Sequence, residues 1–279
     1  KEISPLGFVE TYDHDKMGNL VEYINAEDES THYDYDLLGR LTSVSFPDGK
    51  HVDITHDLKK NIRVEEYKYP KSSEEAKTPH VQKIIENYDK LGRTERKTRV
   101  WSSGEERSIT YDYDSAGNMI RMNDQFDSTT RYYYDALNRV NMVMDYDYDI
   151  TTYEYDAIGQ LKKTVYPTGT TIYRDYNKAN KLTELQNVRS DGTVISSFEY
   201  SYNWNGNIVS MTNKFGNTTE YDYDKENRLT SVKYPSELEI NYKYDKKDNL
   251  VQKTHLKEGE VVSEVNNEYD IGNRLVRSN

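Results

Sequence analysis

The sequence contains no cysteine, and only 2 tryptophans, 5 phenylalanines and 6 prolines occur among its 279 residues. The absence of cysteine excludes disulfide bonds, cysteine-ligated zinc and thiol chemistry, but it does not fix the compartment. No apolar run reaches the roughly 18 residues of a membrane-spanning helix, and the stretch from Lys1 to Pro5 lacks the apolar segment of a signal peptide. We therefore expect a soluble segment that begins inside a longer protein.

Positive charge and aliphatic side chains are also in short supply. Lys and Arg number 37 against 49 Asp and Glu, which gives a formal net charge of −12. This balance argues against sequence-independent binding to nucleic acid or to anionic lipid, since both require phosphate neutralisation. Apolar residues make up 34 % of the chain and aromatic residues 12 % of the chain. About 22 % of the chain is therefore aliphatic, which is below the usual share in globular proteins. A thick hydrophobic core is therefore not expected.

Tyrosine, by contrast, is abundant, with 27 residues. When the chain is aligned on the aspartate of Tyr-Asp-x-x-Gly, twelve repeats appear, and seven of the eleven steps between them are 21 residues long. The other four steps are longer, which indicates insertions into one repeat length. The residues that occupy the aspartate position are Asp15, Asp36, Asp57, Asp89, Asp114, Asp135, Asp156, Asn177, Asn203, Asp224, Asp245 and Asp270.

The motif predicts a tight hairpin turn in each repeat. An Asp that opens a type I turn accepts a hydrogen bond from the backbone two residues on, and a left-handed residue in fourth position closes a three-residue hairpin with a G1 bulge. That fourth residue is Gly, Asn or Asp in all repeats but one; the exception is Lys60, whose turn we expect to be strained or differently built. The predicted turn residues are Asp15, Gly18, Asp36, Gly39, Asp89, Gly92, Asp114, Gly117, Asp135, Asn138, Asp156, Gly159, Asn203, Gly206, Asp224, Asn227, Asp245 and Asp270.

Two tyrosine positions precede each turn. The residue before the aspartate is Tyr in ten repeats, and a second Tyr stands two residues earlier in eight. The strand period of two places both rings on one face of a strand. Since cross-strand aromatic pairs contribute about 0.2–1 kcal/mol each, we expect stacked rings to replace a core. The predicted ladder tyrosines are Tyr35, Tyr88, Tyr113, Tyr134, Tyr155, Tyr176, Tyr202, Tyr223, Tyr244 and Tyr269.

Each repeat therefore predicts two strands and two turns, or about 24 strands in all, and no long helix. At roughly 4.8 Å between strands the sheet would extend on the order of 115 Å, so it must wind or close. We predict an all-β fold in which tandem hairpins form a curled, single-layer antiparallel β-spiral. Leu229 and Val232 are three residues apart, so a bulge or two-sided burial is needed between them.

The repeats are expected to form one continuous array over residues 1–279. The longest step, 32 residues between Asp57 and Asp89, contains a polar loop insertion near residues 68–80. The register resumes beyond it, which favours a surface loop over a domain boundary. Smaller polar insertions fall at residues 102–106, 189–192 and 257–260.

A finer pattern has a period of two repeats. The residue that follows the fourth turn position carries an amide in odd-numbered repeats and a cation in even-numbered ones, without exception. We expect the cation to pair with a neighbouring Asp or to stack on a ladder tyrosine. The alternating residues are Asn19, Arg40, Asn61, Arg93, Asn118, Arg139, Gln160, Lys181, Asn207, Arg228, Asn249 and Arg274.

Segments such as 33–41 and 221–229 resemble the RHS/YD repeat, whose consensus is Tyr-x-Tyr-Asp-x-x-Gly-Arg-Leu. The resemblance extends over essentially the whole chain. The family comprises bacterial Rhs and wall-associated polymorphic toxins, the C components of insecticidal toxin complexes, and the animal teneurins. The resemblance implies a large, hollow β-strand spiral, which in the bacterial members encloses a variable C-terminal toxin domain.

The same resemblance implies a non-catalytic structural segment of a secreted or cell-wall-associated protein. Its expected partners are the remaining repeats and the C-terminal toxin domain of the parent chain, and no membrane insertion by this segment is expected. The family's C-terminal core includes an Asp-Pro-x-Gly-Leu region with an aspartyl self-cleavage centre. The present sequence contains no Asp-Pro pair, so autoproteolysis is assigned to none of its residues.

Other functions were weighed against this one. The six histidines are scattered, and no Gly-x-Ser-x-Gly, His-Glu-x-x-His or phosphate-loop motif occurs, so no catalytic, cofactor or metal residue is predicted. Pairs such as Asp34 and Asp36 could recruit Ca²⁺, but their spacing follows the hairpin and favours turn capping. The alternative function is a carbohydrate-binding or cell-surface adhesion module, because tyrosines beside carboxylates and amides can hold sugar rings. Tyrosine platforms also suit single-stranded nucleic acid, which the negative charge disfavours.

Overall fold

The computed structural model describes residues 2–3, 9–73, 77–270 and 272–279. The chain divides into two compact units, which comprise residues 1–148 and 149–279. The predicted insertion near residues 68–80 includes residues 74–76, which lie outside the described part. No helix among the described residues is long and apolar enough to cross a membrane.

The described residues form strands joined by short turns. The strands of the N-terminal unit are β1 (Glu2–Ile3), β2 (Val9–His14), β3 (Leu20–Ile24), β4 (Ser30–Tyr35), β5 (Leu41–Ser45), β6 (His51–Asp57), β7 (Ile62–Lys68), β8 (Val81–Tyr88), β9 (Thr94–Trp101), β10 (Glu106–Tyr113), β11 (Met119–Asp124), β12 (Thr129–Tyr134) and β13 (Val140–Met144). Those of the C-terminal unit are β14 (Ile150–Tyr155), β15 (Leu161–Val165), β16 (Thr171–Tyr176), β17 (Leu182–Val188), β18 (Val194–Tyr202), β19 (Ile208–Asn213), β20 (Thr218–Tyr223), β21 (Leu229–Lys233), β22 (Leu238–Tyr244), β23 (Leu250–Lys257), β24 (Glu260–Tyr269) and β25 (Leu275–Ser278).

Within each unit every strand pairs antiparallel with the next strand along the chain. Each unit is thus a meander of hairpins, as expected when strand formers alternate with turn residues at short, regular spacing. The prediction of an all-β fold built from tandem antiparallel hairpins is confirmed. The described residues contain 25 strands, close to the expected number.

The strand after the Asp-x-x-Gly turn carries one extra residue in nearly all repeats. In the hairpin of β20 and β21, Tyr223 pairs with Leu229 and Tyr221 pairs with Val232, and the register shifts between them at Thr230. The bulge brings Leu229 and Val232 onto the face that carries both tyrosines. The expected bulge between Leu229 and Val232 is therefore confirmed.

The apolar residues collect on this tyrosine face in small groups. The buried apolar residues among those described are Val44, Val52, Ile54, Val232 and Ile240, and no large side chain is fully buried. The first three form one cluster, against which partly buried hydrophobic residues from the same strands and their neighbours pack. The prediction that no thick core exists is confirmed, since the buried apolar residues are few and scattered along a single layer.

The opposite face of the sheet is polar at strands β4 to β6. On it, Ser43 donates a hydrogen bond from Oγ to Asp34 Oδ2 at 2.5 Å. A ring nitrogen of His51 lies 2.9 Å from Asp53 Oδ1, and Lys68 forms an ion pair with the same carboxylate. At these strands the two faces of the sheet therefore offer different chemistry, one aromatic and aliphatic, the other polar and ionic.

The turn that contains Lys60 differs from the others, as predicted. Asp57 pairs with Ile62 across β6 and β7 without a bulge, and the left-handed residue is Asn61, with φ of 53°. The backbone N–H groups of Lys59 and Lys60 each donate to Asp57 Oδ1 at 3.1 Å. The loop is one residue longer here, so Lys60 avoids the left-handed conformation that its Cβ would make costly.

Asn141 occupies the bulge after the turn of Asp135, and its buried side-chain oxygen has no hydrogen-bond partner. A buried acceptor without a donor costs about 1–3 kcal/mol. We expect Asn141→Val to stabilise the protein by about 1 kcal/mol, measured by urea unfolding. Thr183→Val, at the corresponding bulge after Asn177, is the control and should change stability less. A loss of stability in Asn141→Val would contradict the assignment.

Candidate functional site

The side chain that opens each turn organises it. In the repeat of Asp36, Oδ1 accepts hydrogen bonds from the backbone N–H groups of Leu38 at 2.9 Å and Arg40 at 3.0 Å. The Gly39 N–H donates to the Asp36 carbonyl at 3.0 Å. The same arrangement occurs in every repeat except that of Asp57. The turn acceptors that share it are Asp15, Asp36, Asp89, Asp114, Asp135, Asp156, Asn177, Asn203, Asp224, Asp245 and Asp270.

The fourth residue of these turns is left-handed. Its φ ranges from 59° at Asn138 to 93° at Gly117 and Gly159. Asn and Asp tolerate this conformation better than other residues with a Cβ. The residues in this position are Gly18, Gly39, Gly92, Gly117, Asn138, Gly159, Asn180, Gly206, Asn227, Asp248 and Asn273.

Where the turn of an even-numbered repeat opens with Asp, the cation that follows it binds the carboxylate of that turn. Arg40 donates from Nε to Asp36 Oδ2 at 2.7 Å, and a second guanidinium nitrogen lies 2.5 Å from the same oxygen. The expected pairing of the cation with an Asp is confirmed. The arginines that pair in this way are Arg40, Arg93, Arg139, Arg228 and Arg274.

In odd-numbered repeats the amide binds the carboxylate of its own turn at three positions and reaches the next turn at four. Asn118 donates from Nδ2 to Asp114 Oδ2 and to Asn138 Oδ1, each at 2.9 Å. The amide-to-turn bond to the following repeat recurs at Gln160 to Asn180, Asn207 to Asn227 and Asn249 to Asn273. An amide is thus followed by a turn with Asn in fourth position wherever this bond forms.

In two even-numbered repeats the guanidinium group reaches the next turn by a different route. Arg228 donates from Nη1 to the Asp245 carbonyl at 3.0 Å and to Asp248 Oδ1 at 2.7 Å. Its guanidinium carbon lies 4.9 Å from the ring centroid of Tyr244. Arg93 makes the corresponding contacts with the next repeat. The expected stacking on a ladder tyrosine is confirmed at these two arginines, and the alternation reflects two kinds of junction between adjacent turns.

The ladder tyrosines make a recurring contact that the sequence did not predict. Their hydroxyl groups donate to a backbone carbonyl of the preceding repeat, as from Tyr134 to Met119 at 2.8 Å and from Tyr244 to Leu229 at 3.0 Å. Where His56 replaces tyrosine, its Nε2 lies 3.0 Å from the Leu41 carbonyl. The same contact is made by Tyr113, Tyr176, Tyr202 and Tyr269.

The remaining ladder positions vary. Tyr88 donates instead to Glu86, at 2.8 Å, while Tyr35, Tyr155 and Tyr223 end β4, β14 and β20. A ring contact between tyrosines occurs between Tyr12, which stands in the second tyrosine position of its repeat, and Tyr23, with centroids 5.1 Å apart. The signal that could have revealed the hydroxyl bond is the histidine in the tyrosine position, since both side chains carry a polar hydrogen where phenylalanine does not.

These contacts set the protonation of both partners. The hydrogen bonds from Arg40, first from its side chain and then from its backbone, lower the pKa of Asp36 from 3.8 to about 2. The pKa values of Asp114 and Asp245 are lowered by the side-chain amides that bind them. Burial raises the pKa of Tyr134 and of Tyr202 above the usual value of 10.0. At neutral pH the carboxyl groups of Asp36, Asp114 and Asp245 are therefore ionised, and the hydroxyl groups of Tyr134 and Tyr202 keep their protons.

We expect acid to weaken the turns only below the usual range of a carboxyl group. Because the folded-state pKa of Asp36 is lowered, its contribution to stability is complete above 3.8 and is lost as the pH falls through about 2. Circular dichroism followed from neutral pH down should show a transition below pH 3.8. Asp36→Asn should remove the titration of this turn while the backbone bonds to its amide oxygen remain. A transition complete above that pH would contradict the expectation.

Gly39 offers a test of the junction between turns. A Cβ added to it would lie 3.6 Å from Asn19 Oδ1, an ordinary contact, so an asparagine here could form the amide bond seen between Asn118 and Asn138. We expect Gly39→Asn to stabilise the protein by about 0.5 kcal/mol in thermal unfolding. Gly39→Ala adds a Cβ at φ of 73° without an amide and should destabilise by about 1 kcal/mol. Equal effects of the two changes would contradict the role of the amide.

No group of three or more His, Asp and Glu side chains is arranged to hold a metal ion in the described part of the chain. The two carboxylates of an Asp-x-Asp pair make different contacts. Asp36 is held by its turn, whereas Asp34 accepts a hydrogen bond from Ser43 on the polar face. The geometry thus assigns these carboxylates to turn and cross-strand contacts.

Comparison with known proteins agrees with the sequence resemblance. The family model described as RHS Repeat matches residues 14–51 and 202–237. No curated protein matches the chain. The chain therefore contains RHS repeats in these two segments.

Solved structures show the same fold. The crystal structure of TcdB2-TccC3 matches with a TM-score of 0.64 at 15 % identity, and the Photorhabdus luminescens Tc holotoxin pore matches with a TM-score of 0.63 at 15 % identity. Each match covers 96 % of this chain and 17 % of the other. The chain therefore spans about a sixth of the length of the proteins it resembles.

Proposed function

We propose that this chain is a non-catalytic structural segment of a longer, secreted or cell-surface RHS/YD-repeat protein. In that protein its twelve repeats form one array and part of a β-spiral shell, which encloses a C-terminal toxin domain and delivers it to another cell. The remaining repeats and the toxin domain are its partners. The observation that carries the proposal is the structural match to toxin complexes over 96 % of the chain.

The contacts within the repeats support a scaffold. The residues that recur, namely the turn Asp, the cation or amide and the ladder tyrosine, bond to their own turn or to the adjacent repeat. A wall that encloses another domain needs continuous strand pairing and joints between successive hairpins, and these side chains supply the joints. A binding or catalytic site would instead concentrate its distinctive residues in one place.

The proposal is tested on the full-length parent protein. Limited digestion with proteinase K, followed over time by mass spectrometry, should leave the C-terminal segment intact. The reason is that the shell excludes the protease. The same segment expressed alone is the control and should be cut rapidly. Urea concentrations that unfold the repeats should remove the protection. Equal digestion rates for the enclosed and the isolated segment would contradict the proposal.

A further inference from the structure

The turns that open with the repeat Asp lie along one edge of the sheet of the N-terminal unit, which we call the Asp edge. In an antiparallel meander, turns that follow even-numbered strands fall at one end of the strands and turns that follow odd-numbered strands fall at the other. Successive turns of one edge are two strands, or roughly 10 Å, apart. The Asp edge comprises residues 15–18, 36–39, 57–61, 89–92, 114–117 and 135–138, and the short turns of the opposite edge are residues 25–29, 46–50, 101–105 and 124–128.

The tips of the Asp edge carry large apolar side chains that lie in solvent. Leu37 is 97 % exposed, Leu38 70 % and Leu91 75 %. The turn does not require them, since its second and third positions accept most residues, and the turns of Asp224 and Asp245 hold only Lys and Glu there. Single exposed apolar residues are ordinary, whereas a row of them indicates an interaction surface. The row consists of Met17, Leu37, Leu38, Leu58, Leu91 and Leu137.

A partner could cover this edge without leaving polar groups unpaired. In the turn of Asp36, the N–H groups of Leu38 and Arg40 donate to Oδ1 and that of Gly39 donates to the Asp36 carbonyl. The other carboxylate oxygen accepts from the guanidinium group of Arg40. Because a buried polar group without a partner is costly, an edge whose polar groups are bonded internally is suited to burial.

The charges at the tips of the two edges are opposite in sign. Lys16, Lys59 and Lys90 stand beside the apolar residues of the Asp edge, whose tips contain no Asp or Glu between the opening Asp and the left-handed residue. The short turns of the opposite edge contain one cation, Lys50, which pairs with Asp48 at 3.1 Å. The exposed acidic side chains of those turns are Glu27, Asp28, Glu29, Asp48, Glu105 and Asp127.

We propose that the Asp edge of this unit packs against the opposite edge of a further row of repeats of the parent chain, outside residues 1–279. This contact rests on the proposed function, in which the repeats form part of a shell. Strand pairing joins hairpins along a row, so a single-layer wall is closed sideways only where the turns of one row meet those of the next. The leucines pack between the rows, and the lysines pair with the acidic tips. This chain covers 17 % of the TcdB2-TccC3 chain, and a protein of that length has room for such a row.

Other partners fit this edge less well. A second Asp edge would bring lysines against lysines, which like charges disfavour. An anionic membrane would suit the leucines and lysines but not the net charge of −12. A second copy of the chain could offer the same acidic edge, and isotope labelling distinguishes it from the parent chain's own repeats.

The test compares hydroxyl-radical oxidation of the full-length parent protein with that of residues 1–279, read by mass spectrometry. We expect Leu37, Leu38 and Leu91 to react rapidly in residues 1–279. In the parent protein their rates should fall to that of Val44, which is 8 % exposed. Tyr133, which is 40 % exposed on the face opposite the ladder tyrosines, is the control and should react alike in both. Equal rates for the leucines in the two proteins would overturn the proposal.

Carbodiimide cross-linking identifies the partner. In a mixture of unlabelled and isotope-labelled parent protein, Lys16, Lys59 and Lys90 should form amide bonds with Asp or Glu of turns outside residues 1–279, within one copy. Cross-links between copies, or none from these lysines, would overturn the proposed partner. Cosedimentation of residues 1–279 with phosphatidylglycerol vesicles that is lost in Leu37→Ser would assign the edge to a membrane instead.

Variants assign the protection to the apolar tips. Leu91→Ser in the parent protein should raise the oxidation rates of the neighbouring tips. Ala116→Ser, at the tip without a large apolar side chain, is the matched control and should not raise those of its own neighbours. Equal effects would overturn the role of the leucines. Protection of the C-terminal segment from proteinase K together with exposed leucines would refute this contact and leave the proposed function standing, whereas loss of both would refute both.

Discussion

Replacement of Gly117 by valine should destabilise the protein by about 1–3 kcal/mol. Gly117 has φ of 93°, and a Cβ placed on it would meet no atom within 4 Å. Crowding therefore contributes nothing, and the expected loss comes from the backbone conformation that a β-branched residue disfavours. Urea unfolding with an unchanged slope would measure it as a shift of the midpoint.

The matched control is Gly117→Asn. Asparagine occupies the same turn position at Asn138, with φ of 59°, and it tolerates the left-handed region better than other residues. Most of the stability lost in the valine variant should therefore be retained. Equal losses for valine and asparagine would show that the left-handed conformation is not what the turn requires.

Replacement of Ile240 by alanine should cost about 2 kcal/mol, the low end of the range for a buried Ile. Ile240 is 8 % exposed and pairs across the strands with Val232, which is 4 % exposed. The low end applies because the single layer gives side chains few neighbours and lets the site relax. These buried pairs are where the aliphatic contribution to stability is concentrated.

Ile195→Ala provides the comparison, since Ile195 also lies in a strand but is 39 % exposed. Its loss should be within about 0.5–1 kcal/mol. Thermal and urea unfolding of both variants measure the difference. If the two losses were equal, burial at Val232 and Ile240 would not be the source of the stabilisation.

The strands and turns could be predicted from the sequence because each repeat contains the residues that form its own turn. The Asp and the left-handed residue at position four act within five residues of chain, as in the repeat of Asp36 and Arg40. The pairing of the cation was predicted for the same reason. Even the departure at Lys60 could be anticipated, since a lysine is disfavoured at positive φ.

Contacts between repeats were harder to predict. The bond from the Tyr134 hydroxyl to the Met119 carbonyl depends on the register of neighbouring strands and on the bulge in β11. Neither is fixed by the spacing of the tyrosines. The two junction types, amide to amide at Asn118 and guanidinium to carbonyl at Arg228, were visible only as an unexplained alternation.

The opposition of Arg99 and Arg107 across β9 and β10 left no signal in the sequence. Arg99 and Arg107 are eight positions apart and lie on either side of a polar insertion. Their opposition depends on the length of that insertion, which sets the cross-strand register. The repeat pattern describes what all repeats share, whereas this pair occurs in one hairpin.

The central claim, that these repeats are part of a shell, is tested most directly by a cryo-electron microscopy map of the full-length parent protein. The account predicts that residues 1–279 form part of a continuous β wall, with density for the C-terminal segment inside it. A map in which the repeats form an open arm, with the C-terminal segment outside and exposed to solvent, would contradict it.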